Sequence, residues 1–178
     1  MAKPYIIQAR LAEILFVAQN MRERDFMEIT ATSFEADRST LAENMAMRLS
    51  GQPMAFVLGD MEIDGGRPIV CIAWIEIHPG VWQVGMFATD NMKKIGGFLT
   101  KQVCKNIIPA LDASGVTKVF ANSISGYDEI HDWLRFLGMT NEMPMPGHGK
   151  NGEDFVCFSW LRPKNAETIS WIKPGTVA

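Results

Sequence analysis

Three histidines, His78, His131 and His148, are too few and too scattered to suggest a catalytic metal site. Cys71, Cys104 and Cys157 are as sparse, odd in number and set in apolar surroundings. No CxxC pair occurs, which argues against a disulfide framework or zinc knuckle and for buried free thiols in a reducing compartment. GxSxG, HExxH and Walker signatures are absent, so nothing points to a nucleophile elbow, a zincin helix or a P-loop. A basic excess is missing too. The 17 Lys and Arg against 20 Asp and Glu leave a net charge of −3, the wrong balance for a dedicated nucleic-acid binder. No apolar run reaches the ~18 residues of a membrane span. Lys3, Arg10 and Glu13 come too early for a signal peptide. The expectation is a soluble cytoplasmic chain with no nucleic-acid partner and no membrane span.

What is present has the balance of a globular protein, 47% apolar and 21% charged, and 178 residues suit one core. Tyr5 to Ala9 reads as an opening strand. Leu11, Ile14, Leu15 and Ala18 recur at helical spacing, and the helix runs on or restarts through Phe26, Met27 and Ile29. Thr40 and Glu43 have capping-box spacing ahead of a stripe of Leu41, Met45 and Leu49. Met54 to Leu58, Pro68 to Ile77 and Val81 to Ala88 read as strands, the last two joined at His78-Pro79-Gly80. Those two are apolar at nearly every position, the pattern of central strands covered on both faces. A long helix follows Thr89-Asp90-Asn91 with Met92, Ile95, Leu99 and Val103 inward, and Pro109 kinks or ends it. After a strand over Val116 to Ala121, residues Ile130, Trp133, Leu134 and Leu137 mark a helix that Gly138 terminates. Glu142 to Pro146 and Phe155 to Trp160 are the last extended pieces. The order β-α-α-β-β-β-α-β-α-β-β predicts an α/β (α+β) fold, a mixed sheet with helices on both faces. The domain ends near residue 162, with a tail over 163–178.

This order resembles the GNAT (Gcn5-related N-acetyltransferase) fold over roughly residues 4 to 162. The stretches WQVGMFATDNMKK, VFANSISGYDEIHDWLRFLGM and EDFVCFSW look similar to the GNAT-like internal virion proteins of short-tailed bacteriophages, through Trp82, Thr89, Asn122, His131 and Gly138. The resemblance implies acetyl-CoA as cofactor. Pantetheine would lie along the strand of Gly85, Met86 and Phe87, where Gly85 marks a bulge. The pyrophosphate would meet Lys93-Lys94-Ile95-Gly96-Gly97-Phe98 at a helix N-terminus, with Asn122 on the next strand. Phe98 stands where a small residue would let backbone approach phosphate, and Asp90 adds negative charge nearby.

Amine acylation needs a base and commonly an acid for the departing thiolate. The family's usual Tyr position, four residues before Gly138, is Leu134, which leaves Tyr127 as the nearby phenol. Glu76, near the end of a very apolar strand, is the candidate base, and His131 is a base or a partner contact. Lys94, Lys101 and Lys105 line one helix face, solvated or facing phosphates or an acidic partner. Asn141 to Pro146 with Trp160 could form an interaction edge. Two functions follow. One is a virion-associated or morphogenesis protein with a degenerate acetyl-CoA site, contacting phage or host proteins or its own copies, in the host cytoplasm or packaged in the virion. The other is an atypical acyl-CoA-dependent N-acetyltransferase acting on a host protein or small amine.

Overall fold

The computed structural model describes residues 3–162, and the expected tail over 163–178 lies outside the described residues. Strand β1 (Pro4–Gln8) is followed by helices α1 (Leu11–Gln19), α2 (Glu23–Ala31) and α3 (Arg38–Leu49). Strands β2 (Ala55–Asp60), β3 (Pro68–His78) and β4 (Val81–Ala88) come next. Helices α4 (Met92–Gln102) and α5 (Ile108–Ala113), strand β5 (Lys118–Ile124), helix α6 (Asp128–Phe136) and strands β6 (Thr140–Met145) and β7 (Phe155–Leu161) complete the order. The seven strands form one mixed sheet, β1-β2-β3-β4-β5-β7-β6, in which β4 and β5 are the parallel pair.

The apolar runs of β3 and β4 are explained by two cores, one on each face. Val57, Cys71, Ala73 and Phe87 pack with α1 and α3 through Ile14, Val17, Ala42 and Ala46. Leu58, Val70, Ile72, Val119 and Phe158 pack on the other face with Ile95 and Leu99 of α4 and Leu134 of α6. Successive strand residues thus alternate between two dry interiors rather than between core and water. Cys71 is buried among them, and burial pushes its thiol up to about 12. No helix of the described residues is long and apolar enough to cross a membrane.

Four local features refine or correct the sequence reading. The first helical stretch restarts rather than runs on: a break around Met21, which bridges to Thr89, separates α1 from α2. Asp37, not Thr40, caps α3, its carboxylate accepting from the Thr40 N–H at 2.8 Å and hydroxyl at 3.0 Å. These bonds hold the Asp37 carboxyl below its usual range, and the Asp cap satisfies one of the free N–H groups of the helix's first turn. Before Pro109 the chain takes a π-helical turn over Val103–Ile107, with the Ile108 N–H bonded to the Val103 carbonyl. The proline itself sits at the start of α5, where its missing N–H is tolerated, and the regular α4 helix has ended before it. Gly85 is not at a bulge. It pairs in regular register with Ala73, and the irregularity between β3 and β4 lies at Glu76 and His78.

The end of α6 follows the sequence closely. Gly138 adopts φ 84°, its N–H bonds to the Arg135 carbonyl, and the Met139 N–H reaches the Leu134 carbonyl, the two bonds of a Schellman motif. Strand β6 is an exposed edge, as its Asn141 to Pro146 reading allowed, but Trp160 is buried in the core.

Candidate active site

Strands β4 and β5 pair only at Val81 with Lys118, Trp82 with Val119 and Gln83 with Phe120. Beyond them β4 continues beside β3 to Ala88, and β5 continues beside β7 to Ile124. The two central strands therefore part in the middle of the sheet. At the far end of the gap, α2 takes the place of a strand. The Ala88 N–H bonds to Asp25 Oδ2 at 2.9 Å, and the Arg22 N–H to the Ala88 carbonyl at 2.8 Å. Backbone groups alternate along a strand, so the Met86 N–H and C=O lie on the same open edge as those of Ala88, where no strand stands opposite.

Three spaces meet at this gap. A cavity of about 370 Å³ lies on the α1–α3 face, bordered by Glu28, Thr32, Arg48, Gln83, Gly85 and Asn122 among others. The gap itself holds about 70 Å³ among Asp25, Glu28, Met86, Asn122, Ser123 and Tyr127. A groove of about 330 Å³ runs between α4 and α6 past Arg22, Lys93, Gly96 and Trp133. Glu28, Gly85, Met86 and Asn122 border both the first and second spaces, and Ile130 and Trp133 border the second and third. Trp133 Nε1 donates to Thr100 Oγ1 at 3.0 Å and ties α6 to α4 across the groove.

Two carboxylates on α2 dominate the gap. Asp25 is buried and accepts from Arg22 Nε at 3.1 Å and Nη2 at 2.9 Å, from the Ala88 N–H, and from the Tyr127 hydroxyl at 3.0 Å. Burial pushes its carboxyl up, and these donors restrain the rise. Glu28 accepts from Ser123 Oγ at 3.2 Å. Burial raises its carboxyl to about 7, against the Ile124 N–H and the Ser123 hydroxyl, while the charge of Asp25 adds to the rise. A carboxylate that exchanges its proton near neutrality and borders a cavity has the properties of a general base.

The sequence-derived candidates are distributed unevenly around this geometry. Gly85, Met86 and Asn122 line the gap, and Lys93 and Gly96 line the groove. Phe87 borders the larger cavity but is otherwise buried core. Lys94, Gly97 and Lys101 are exposed on α4, and Lys105 is exposed in the π-helical turn that follows it. The stretch Lys93 to Phe98 lies within α4, which begins at Met92 as its apolar spacing predicts, so only its first residues belong to the helix N-terminus. Tyr127 precedes the first turn of α6 and lines the gap. Its one hydroxyl proton is engaged by Asp25, and burial with that neighbouring charge raises the phenol pKa.

Glu76 and His131 sit outside the three spaces. Glu76 is exposed at the hairpin end of β3, where its Oε1 accepts from the Gly80 N–H at 2.9 Å and closes the turn. The strand is apolar, but its end is wet. His131 is buried against Phe158, ring centroids 4.9 Å apart, and its Nε2 has no partner among the described residues. Burial lowers its pKa and favours the neutral ring. Sequence reasoning missed Arg22, Asp25 and Glu28. Their three-residue spacing beside Phe26 and Ile29 was the available signal, since it sets charge along the inward side of an amphipathic helix.

No protein-family model matches the sequence, and no curated protein matches it. Solved structures do. An acetyltransferase of the GNAT family from Bacillus anthracis is similar at 13% identity and a TM-score of 0.66, covering 90% of this chain and 98% of that one. A ribosomal-protein alanine N-acetyltransferase from Escherichia coli gives 13% identity and 0.63, covering 93% and 98%. An N-acetyltransferase from Staphylococcus aureus gives 11% and 0.65, covering 89% and 98%. The chain has the GNAT acetyltransferase fold, and none of these likenesses connects it with virion proteins.

Proposed function

We propose that the chain is an acyl-CoA-dependent N-acetyltransferase whose general base is Glu28. The observation that carries this reading is the parting of β4 from β5 after Gln83 and Phe120, with a carboxyl of pKa about 7 at the opening. The residues fit acetyl-CoA as follows. The open backbone edge at Met86 and the side chain of Asn122 would receive an extended amide-bearing arm, and Lys93 with Arg22 would face phosphates in the groove. When bound, acetyl-CoA would supply a thioester acyl group: its C–S bond would break as the acceptor's C–N bond forms, and the departing sulfur would leave as the thiol with the proton that the acylated nitrogen sheds. Glu28 takes the proton of the acceptor ammonium, which it can accept at neutral pH because burial has raised its basicity. Asp25, Arg22 and Tyr127 hold the end of β4 and the start of α6 in place around it.

Thermal unfolding tests the reading. At about 100 times its Kd, acetyl-CoA should stabilise the protein by about 2.7 kcal/mol, a rise in Tm of roughly 5–10 °C for a chain of this size. A flat response up to millimolar acetyl-CoA would sink it. Gly85→Val supplies a second arm. A Cβ at Gly85 meets nothing within 4 Å and valine suits a strand, so the variant should unfold within about 1 kcal/mol of the parent. The added bulk enters the cavity on the α1–α3 face and should cut kcat/KM at least tenfold.

One observation favours the alternative, a virion-associated scaffold with a degenerate cofactor site. The backbone from Ile95 to Phe98 is already inside α4, which removes its N–H groups from phosphate binding. That alternative calls for the flat thermal response and for the chain in purified phage particles by mass spectrometry.

A further inference from the structure

The cavity on the α1–α3 face is bordered by two opposite charges, the half-buried Glu28 and the solvent-exposed Arg48. Glu28 borders both the gap and the cavity, whereas Arg48, near the end of α3, borders the cavity alone. The Arg48 guanidinium has no hydrogen bond or close ion pair among the described residues. Its charge adds to the bonds that hold the Glu35 carboxyl ionised. That carboxylate is already occupied by Ser33 Oγ at 2.6 Å and Asn44 Nδ2 at 2.7 Å. The walls are mixed: Ile29, Met45, Leu49 and Ile75 supply apolar surface, and Thr32, Gln83, Asn122 and His148 supply polar groups. The floor is widened by Ala73 and Gly85, two small residues paired side by side.

We infer that the acceptor is a small amine that also carries a carboxylate and an apolar body, the chemistry of a free amino acid with an aliphatic side chain. This rests on the transferase reading above. The amine goes to Glu28, the apolar body to the apolar part of the walls, and the carboxylate to Arg48, whose planar fork of donors suits a carboxylate. A cavity of about 370 Å³ is within the range of small-ligand sites. A peptide N-terminus would present a neutral amide where Arg48 calls for an anion.

Three matched acceptors separate these cases: L-leucine, L-leucinamide and 3-methylbutylamine, each assayed with acetyl-CoA on the full chain. Leucine should exceed both others in kcat/KM by about tenfold or more. Arg48→Ala should collapse that preference to within about threefold, acting mainly through KM, and Arg48→Lys should restore part of it. Calorimetric titration with leucine alone should show binding that Arg48→Ala weakens by a similar factor. Equal use of the three acceptors, or an Arg48→Ala variant that lowers all three alike, overturns this inference and leaves the transferase reading standing. Preference for leucinamide overturns it in favour of a peptide acceptor. No acetylation of any amine together with no thermal response to acetyl-CoA overturns the transferase reading, and this inference with it.

Discussion

Glu28→Gln is expected to lower kcat by about two to three orders of magnitude, the usual contribution of a positioned general base. The parent's kcat/KM should rise with pH through an apparent pKa near 7, since the base works only when ionised and its carboxyl titrates at about 7. The variant should lose that inflection. Stability moves the other way. A carboxyl raised above its unfolded value of about 4.3 means that the folded state binds more protons than the unfolded state across that interval. Stability therefore falls as pH rises from about 4.3 to about 7, and the loss is complete above the folded pKa. Glutamine carries no charge to bury, and its amide oxygen can still accept from Ser123. Glu28→Gln should thus be at least as stable as the parent at pH 8, with a flatter dependence between pH 4 and 8. The combination of lost turnover and retained stability separates a catalytic role from a structural one. Activity within tenfold of the parent would show that another group, or water, takes the proton.

Why Glu28 was not legible in the sequence, and Glu76 drew attention instead, follows from where each carboxyl finds its surroundings. Glu76 sits in an apolar run, but strand ends at a hairpin meet water, and the Gly80 N–H takes its carboxylate. Glu28 lies in an ordinary amphipathic helix and is desolvated by remote segments, Met86 and Asn122 beside it in the gap and Ser123, 95 positions away, bonded to it. Burial by remote segments leaves little local mark. The two-sided strands were legible because burial on both faces requires apolar residues at every position. The end of α6 was legible because Gly138 must take a positive φ there. The parting of β4 and β5 was not, since it is the absence of a tertiary pairing that neither strand's own composition specifies. The helix through Gly96 and Gly97, by contrast, was legible from the spacing of Met92, Ile95, Leu99 and Val103. Ile95 and Leu99 are anchored in the core on either side of the two glycines, and that packing outweighs roughly 1 kcal/mol of helix propensity lost at each glycine.

Asp25→Ala should destabilise the fold by about 3–5 kcal/mol, because it leaves buried partners without their counterpart. Four donor groups lose their acceptor together: Arg22 Nε and Nη2, the Ala88 N–H and the Tyr127 hydroxyl. The Arg22 side chain is only 13% exposed, so water replaces the carboxylate poorly, and the buried Ala88 N–H carries its own cost of about 1–3 kcal/mol. At roughly 2–4 °C per kcal/mol for a chain of this size, Tm should fall by about 10 °C. Asp25→Asn keeps one acceptor oxygen but turns an amide NH₂ toward donors, and should lie between Asp25→Ala and the parent. Tyr127→Phe removes a single donor and should cost about 1 kcal/mol. The same network sets the chemistry at Glu28. The negative charge of Asp25 contributes to the rise of the Glu28 carboxyl, so removing it should move the inflection of the pH–rate profile to lower pH. Asp25→Asn, the milder variant, is the one in which to measure that shift. If Asp25→Ala unfolds within 1 kcal/mol of the parent, the carboxylate is not what joins α2 to the end of β4. An unmoved profile in a folded Asp25→Asn would instead show that Glu28 is tuned without Asp25, by burial against β5 alone.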